Sequence, residues 1–211
     1  MGVITLLYAK EREENVKSIL ERYHNNELGI DDTVTRLNPY KFLPEFLAAR
    51  LDREMIQFSR STLGKLGKDC KNSAQNVDLN EIEKTVNFLL SWNSKNVVKA
   101  IEKDLVEFSN SLLKGIEKMS DVYVSTHDGK FFNYILQENV SRTKRFISII
   151  NTMPAEVKNT IMPECDSICK SIALSKSGTY ELFLLSDLFD QGPTLKNRDK
   201  ILKEAKSIMR K

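Results

Sequence analysis

Between residues 94 and 124 the apolar side chains Val97, Ile101, Leu105, Phe108, Leu112, Ile116 and Met119 recur in steps of four and three. A strand alternates its faces every second residue, so this spacing puts them on one face only if the chain is an α-helix. Val98, Val106, Leu113 and Val122 widen the stripe, while Lys95, Lys99, Glu102, Lys103, Glu107 and Lys114 fall largely outside it. At about 1.5 Å of rise per residue, an unbroken helix over this stretch would be about 45 Å long, enough to act as the spine of a bundle.

The punctuation of the chain agrees with a helical fold. Its 211 residues hold only 8 glycines and 5 prolines, fewer than a sandwich or a parallel α/β sheet needs for its turns. Hydrophobic residues make up 41% and charged residues 29%, which permits a real core and argues against wholesale disorder. The expected class is all-α: a multi-helix bundle of about seven to nine helices around the long central one. A single helical domain over residues 1–211 is expected, with the polar stretch 68–77 as the place for any internal break.

Read in order, the chain predicts a first helix over 4–23, ended by Asn25, Asn26 and Gly29. Asp31 and Asp32 can cap a short helix to Leu37, which Pro39 stops. A further helix from Pro44 should turn Phe46, Leu47, Leu51, Met55, Phe58 and Leu63 inward and fray at Gly64 and Gly67. Asp78 and Glu81 resemble a capping box for a helix bearing Ile82, Val86, Leu89 and Leu90, with Trp92 as a core plug at its end. Ser94 caps the spine. Past Asp128-Gly129, helical spacing resumes through Phe132, Ile135, Leu136, Phe146, Ile147 and Ile150. A β-hairpin over 122–132 is the alternative there, since Tyr123, Val124, Phe131 and Phe132 flank the Asp-Gly turn. A helix from Pro154 carries Val157, Ile161, Ile168 and Ile172 and should kink or divide at Pro163. Residues 180–189 are intensely apolar, and a basic amphipathic helix is expected over 194–210.

The sequence excludes more chemistry than it offers. His24 and His127 lack ligand partners at metal spacing and read as surface residues. Cys165 and Cys169 share a helix face and could chelate a soft metal with Cys70 and a histidine, but packing beside Ile161, Ile168 and Ile172 as small apolar groups is the preferred reading. Phosphate-binding loops, nucleophile elbows and zinc-protease motifs are absent, so no catalytic residue, cofactor or metal is expected. No run approaches the length of a membrane span. The amino terminus lacks the basic residues of a signal peptide, and Leu6 spoils a myristoylation motif at Gly2. Asn139-Val140-Ser141 matches a glycosylation acceptor, which matters only on a secretory route. The expected location is cytoplasmic, with the nucleus left open.

Net charge is only +3, modest for a protein that coats nucleic acid, but it is unevenly placed. Residues 193–211 carry seven basic groups (Lys196, Arg198, Lys200, Lys203, Lys206, Arg210 and Lys211) against Asp199 and Glu204. A second basic group is Arg142, Lys144 and Arg145. The leading expectation is a non-enzymatic α-helical interaction protein, a scaffold, subunit or adaptor of a larger intracellular assembly, with Tyr180, Phe183, Leu184 and Phe189 as its partner-binding residues. The first alternative is nucleic-acid binding through Arg142, Lys144, Arg145, Lys196, Lys200, Lys203, Lys206 and Arg210. The second is an apolar-ligand binder or an enzyme with a distributed site.

Overall fold

Helix α1 (Val3–His24) ends as its sequence suggests: Asn26 adopts φ 60°, the left-handed backbone that asparagine tolerates better than most residues. The turn is closed by the Asn26 N–H on the Tyr23 carbonyl at 3.0 Å and the Glu27 N–H on the Arg22 carbonyl at 2.8 Å. The computed structural model describes residues 3–125 and 129–174, and every described element is helical. After α1 come α2 (Ile30–Leu37), a 3-10 turn (Asn38–Tyr40), α3 (Glu45–Ala48), a second 3-10 turn (Ala49–Leu51) and α4 (Asp52–Ser73). They are followed by α5 (Leu79–Ser91), α6 (Lys95–Ala100), α7 (Glu102–Ser125), α8 (Gly129–Asn151) and α9 (Ala155–Leu174). The all-α multi-helix class is therefore what the chain forms, and no helix among the described residues is long and apolar enough to cross a membrane.

Four local readings are settled or corrected. The spine is not continuous: it breaks at Ile101, whose φ −101° and ψ 7° leave the helical well. The stripe nevertheless keeps its phase, and Val97, Ile101, Leu105, Phe108, Leu112, Ile116 and Met119 are all buried. Second, α4 does not fray at Gly64 and Gly67 but runs to Ser73, so most of the predicted polar loop 68–77 is helix and Cys70 is fully buried. Third, residues 122–125 and 129–132 are helical, which removes the hairpin alternative from the described part of 122–132. In α9 the helix continues through Pro163 rather than dividing.

The chain resolves into two compact units: Met1–Lys65 with Asn80–Asp104, and Leu66–Leu79 with Leu105–Lys211. In the first, Leu20, Leu37, Leu43, Leu51, Met55, Phe58, Ile82 and Leu89 form a core sealed from solvent. Tyr23 of α1 packs edge-on against Phe58 of α4 and accepts a hydrogen bond from Thr62 at 3.1 Å. Lys84 of α5 reaches Asp31 and Thr35 of α2. Trp92 is a core residue, as its position predicts, meeting Phe88 edge-on. Arg60 explains where the spine breaks. Its guanidinium donates to the last carbonyl of α6, Ala100, at 3.0 Å and to the Asp104 carboxylate in the first turn of α7 at 3.3 Å. A cation at a helix C-terminus and an acid at the next N-terminus both suit the helix dipoles.

In the second unit, α7, α8, α9 and the end of α4 pack around Leu112, Leu113, Ile116, Phe146, Ile149, Ile150 and Val157. Gly115 makes the closest approach. A Cβ there would lie 3.1 Å from both the Ala74 Cβ and the Cys70 carbonyl oxygen, and 3.3 Å from the Phe146 ring. Gly67 plays a similar part against Ser111 and Phe108. Asn139, almost wholly buried, donates its amide to the Met119 carbonyl at 3.2 Å. Lys114 of α7 pairs with Glu164 of α9 at 3.6 Å.

Candidate interaction surface

The segment joining α2 to α4 holds two interleaved four-residue repeats. Leu43, Leu47 and Leu51 form one; Phe42, Phe46 and Arg50 form the other. A single helical turn can bury only one such phase, and the leucines take it: they are 1%, 5% and 0% exposed. The phenylalanines are left outside. Phe42 is 76% exposed and Phe46 48% exposed, which corrects the expectation that Phe46 faces the core. Fully burying a phenylalanine is worth about 1.5–3 kcal/mol, so two exposed rings forgo a sizeable contribution to folding.

The backbone holds the rings in place. Pro39 is the second residue of the 3-10 turn, and Pro44 precedes α3 with the extended ψ of 140°. The Leu43 N–H bonds the Tyr40 carbonyl at 3.0 Å, and the Leu47 and Ala48 N–H groups bond the Pro44 carbonyl at 2.8 and 3.0 Å. Asn93, at the end of α5, donates its side-chain amide to the Leu43 carbonyl at 2.9 Å. Phe42 thus stands out from a turn tied down on both sides.

One cation lies against the first of these rings. The Lys41 ammonium lies 4.9 Å from the centre of the Phe42 ring. Steps of four and three carry Phe46 to Arg50 and Arg53, both exposed. Arg50 also lies 3.6 Å from Glu13, whose carboxyl is held below its ordinary value by the hydrogen bond from Lys17 at 2.7 Å and by Arg50 itself. Glu45 is the acid carried within the segment. The surface combines apolar tips, cations and a fixed backbone; it offers binding rather than bond-making.

The residues nominated from sequence lie elsewhere. Arg142, on α8, has a side chain only 19% exposed. It donates to the Ala74 and Val77 carbonyls at 3.3 and 3.0 Å and to Glu138 at 3.4 Å, so it fastens the turn after α4. Lys144 is exposed and Arg145 half-buried on the same helix. Lys196, Lys200, Lys203, Lys206 and Arg210, like Tyr180, Phe183, Leu184 and Phe189, lie outside the described residues, as do His127 and the predicted helix 194–210. His24 is exposed. Cys70 and Cys165 are buried, and burial, with Asp69 nearby, pushes the Cys70 thiol up to about 12, far from a metal-ready thiolate. Among the described residues no group of three or more histidine, cysteine or acidic side chains could hold a metal ion.

Sequence reasoning passes over Phe42. The signal that could find it is Lys41-Phe42-Leu43-Pro44-Glu45-Phe46-Leu47: two large apolar residues side by side, twice, four apart, in a segment too short to bury both pairs. No family model, curated protein or solved structure matches this chain.

Proposed function

We propose that the protein is a non-enzymatic helical interaction module, a subunit or adaptor that works by docking through the Phe42–Phe46 surface. One observation carries this reading: two aromatic rings are held in water by a backbone anchored on both sides, where a small sequence change would have spared the cost. Aromatic side chains and arginine are enriched in the cores of protein interfaces. The nucleic-acid alternative has less behind it, because Arg142 spends its guanidinium on backbone carbonyls of its own chain.

The test is a photoreactive phenylalanine analogue at position 42, in the full chain, in extract of the source cells, with the same analogue at exposed Gln57 as control. Adducts are expected at position 42 and not at 57. Unlabelled wild-type protein should compete them away, and a Phe42→Ser/Phe46→Ser variant should not. Equal labelling at both positions, or none, rejects the reading.

A further inference from the structure

We infer that residues 95–125 form a two-state element: a single unbroken helix is the alternative to the observed pair α6 and α7, and the Arg60 guanidinium is a releasable clasp that selects the broken form.

The residues at the break favour helix. It falls within Lys99-Ala100-Ile101-Glu102-Lys103, where alanine, lysine and glutamate are among the best helix formers and neither glycine nor proline occurs. The helical ladder runs right up to it, since the Ile101 N–H still meets the Val97 carbonyl at 3.1 Å.

Burial does not favour the break either. Val97, Ile101 and Leu105, spaced by four across it, are each 0% exposed. Rejoining the two helices keeps these side chains on one face, so both forms bury the same apolar stripe. The choice between them falls to polar contacts.

Those contacts converge on one side chain. In an unbroken helix the Ala100 carbonyl accepts the N–H of Asp104, four residues on. Here Arg60 donates Nη2 to that carbonyl at 3.0 Å and Nε to the Asp104 carboxylate at 3.3 Å. It therefore grips both residues whose main-chain bond would close the gap. The planar guanidinium suits two acceptors at once, which an ammonium does not. The Arg60 side chain is 55% exposed, so the clasp lies at the surface, where it is open to release. Releasing it joins α6 to α7 through a new turn over 100–104.

The experiment is solution NMR of the full chain, as wild type and as Arg60→Met, which keeps an aliphatic stem and removes the fork. Backbone carbon shifts report the conformation of Ile101, and amide exchange reports the state of the Asp104 N–H. Wild type is expected to place Ile101 outside the helical range. In Arg60→Met, Ile101 should move into that range and the Asp104 amide should exchange about tenfold more slowly or better. The direction is diagnostic, because loss of a merely structural contact loosens the region and speeds exchange. Arg60→Lys should fall between the two. Wild-type shifts at Ile101 in Arg60→Met, or an Asp104 amide that exchanges as fast or faster, overturn the inference and leave the break to packing alone. So does a wild-type chain whose Ile101 is already helical. Should Arg60→Met fail to fold, Asp104→Asn takes its place: removing the charge from one arm of the clasp should carry Ile101 part of the way toward the helical range, and unchanged shifts there overturn the inference.

Discussion

The guanidinium of Arg142 donates to the backbone carbonyl of Val77 at 3.0 Å, joining residues sixty-five positions apart. With the bond to Ala74, it supplies donors to main-chain carbonyls of the turn between α4 and α5. Arg142→Ala should therefore destabilise the protein by about 1–3 kcal/mol, read as a lower denaturant midpoint, with hydrogen-exchange protection lost around 74–79. Arg142→Lys should recover only part of this, since an ammonium lacks the planar fork that serves several acceptors. Lys144→Ala, two positions away and exposed, should stay within about 0.5 kcal/mol of wild type.

Two glycines that propensity marks as helix-breakers should respond oppositely to a methyl group. Gly64→Ala meets nothing within 4 Å and should stabilise the α4 interior by up to about 1 kcal/mol. Gly115→Ala drives a Cβ against a backbone oxygen and the Ala74 methyl, and should cost about 1–3 kcal/mol. Thermal denaturation of the two variants side by side checks the contrast.

Cys70 should be silent to thiol reagents in the native protein. Its thiol is fully buried and pushed up to about 12, so almost no thiolate exists at neutral pH. Iodoacetamide at pH 8, followed by peptide mass spectrometry, should leave Cys70 unmodified until denaturant is added.

The Glu13–Lys17 pair sets a pH window. Folding lowers the Glu13 carboxyl from its ordinary 4.5, chiefly through the hydrogen bond from Lys17, so its contribution is present above that value and lost as pH falls through the lowered one. Folding raises Lys17 above 10.5, chiefly through the bond to Glu13, so its contribution is present below that value and lost as pH climbs through the raised one. Glu13→Gln should cost about 0.5 kcal/mol or less near pH 7, and the gap between variant and wild type should close in acid below pH 4.5. Urea titrations at neutral and acid pH give both numbers.

The helical class and the buried stripe are legible because both follow from local spacing: Val97 through Met119 lie inside as their period demands. The break at Ile101 is not. No glycine or proline marks it, and the group that favours it, Arg60, is forty residues from Ala100. The course of α4 is hidden for a related reason. Gly67 weakens a helix considered alone, but in the fold it admits the Phe108 and Ser111 side chains of a neighbour. Arg142 resembles a cation open to phosphate because its acceptors are main-chain oxygens, which no residue type announces. Period alone turns Phe46 inward, whereas packing of Leu43 and Leu47 decides between the two competing phases.

The burial of Asn139 has a bearing on what enzymes could do to this chain. Its amide is shut inside the second unit and given to the Met119 carbonyl, so the Asn-Val-Ser acceptor disappears once α7 and α8 have come together. An oligosaccharide at that position could be attached only before the two helices close, and it would then wedge them apart. Sugar on residue 139 would be the mark of a molecule that had failed to mature.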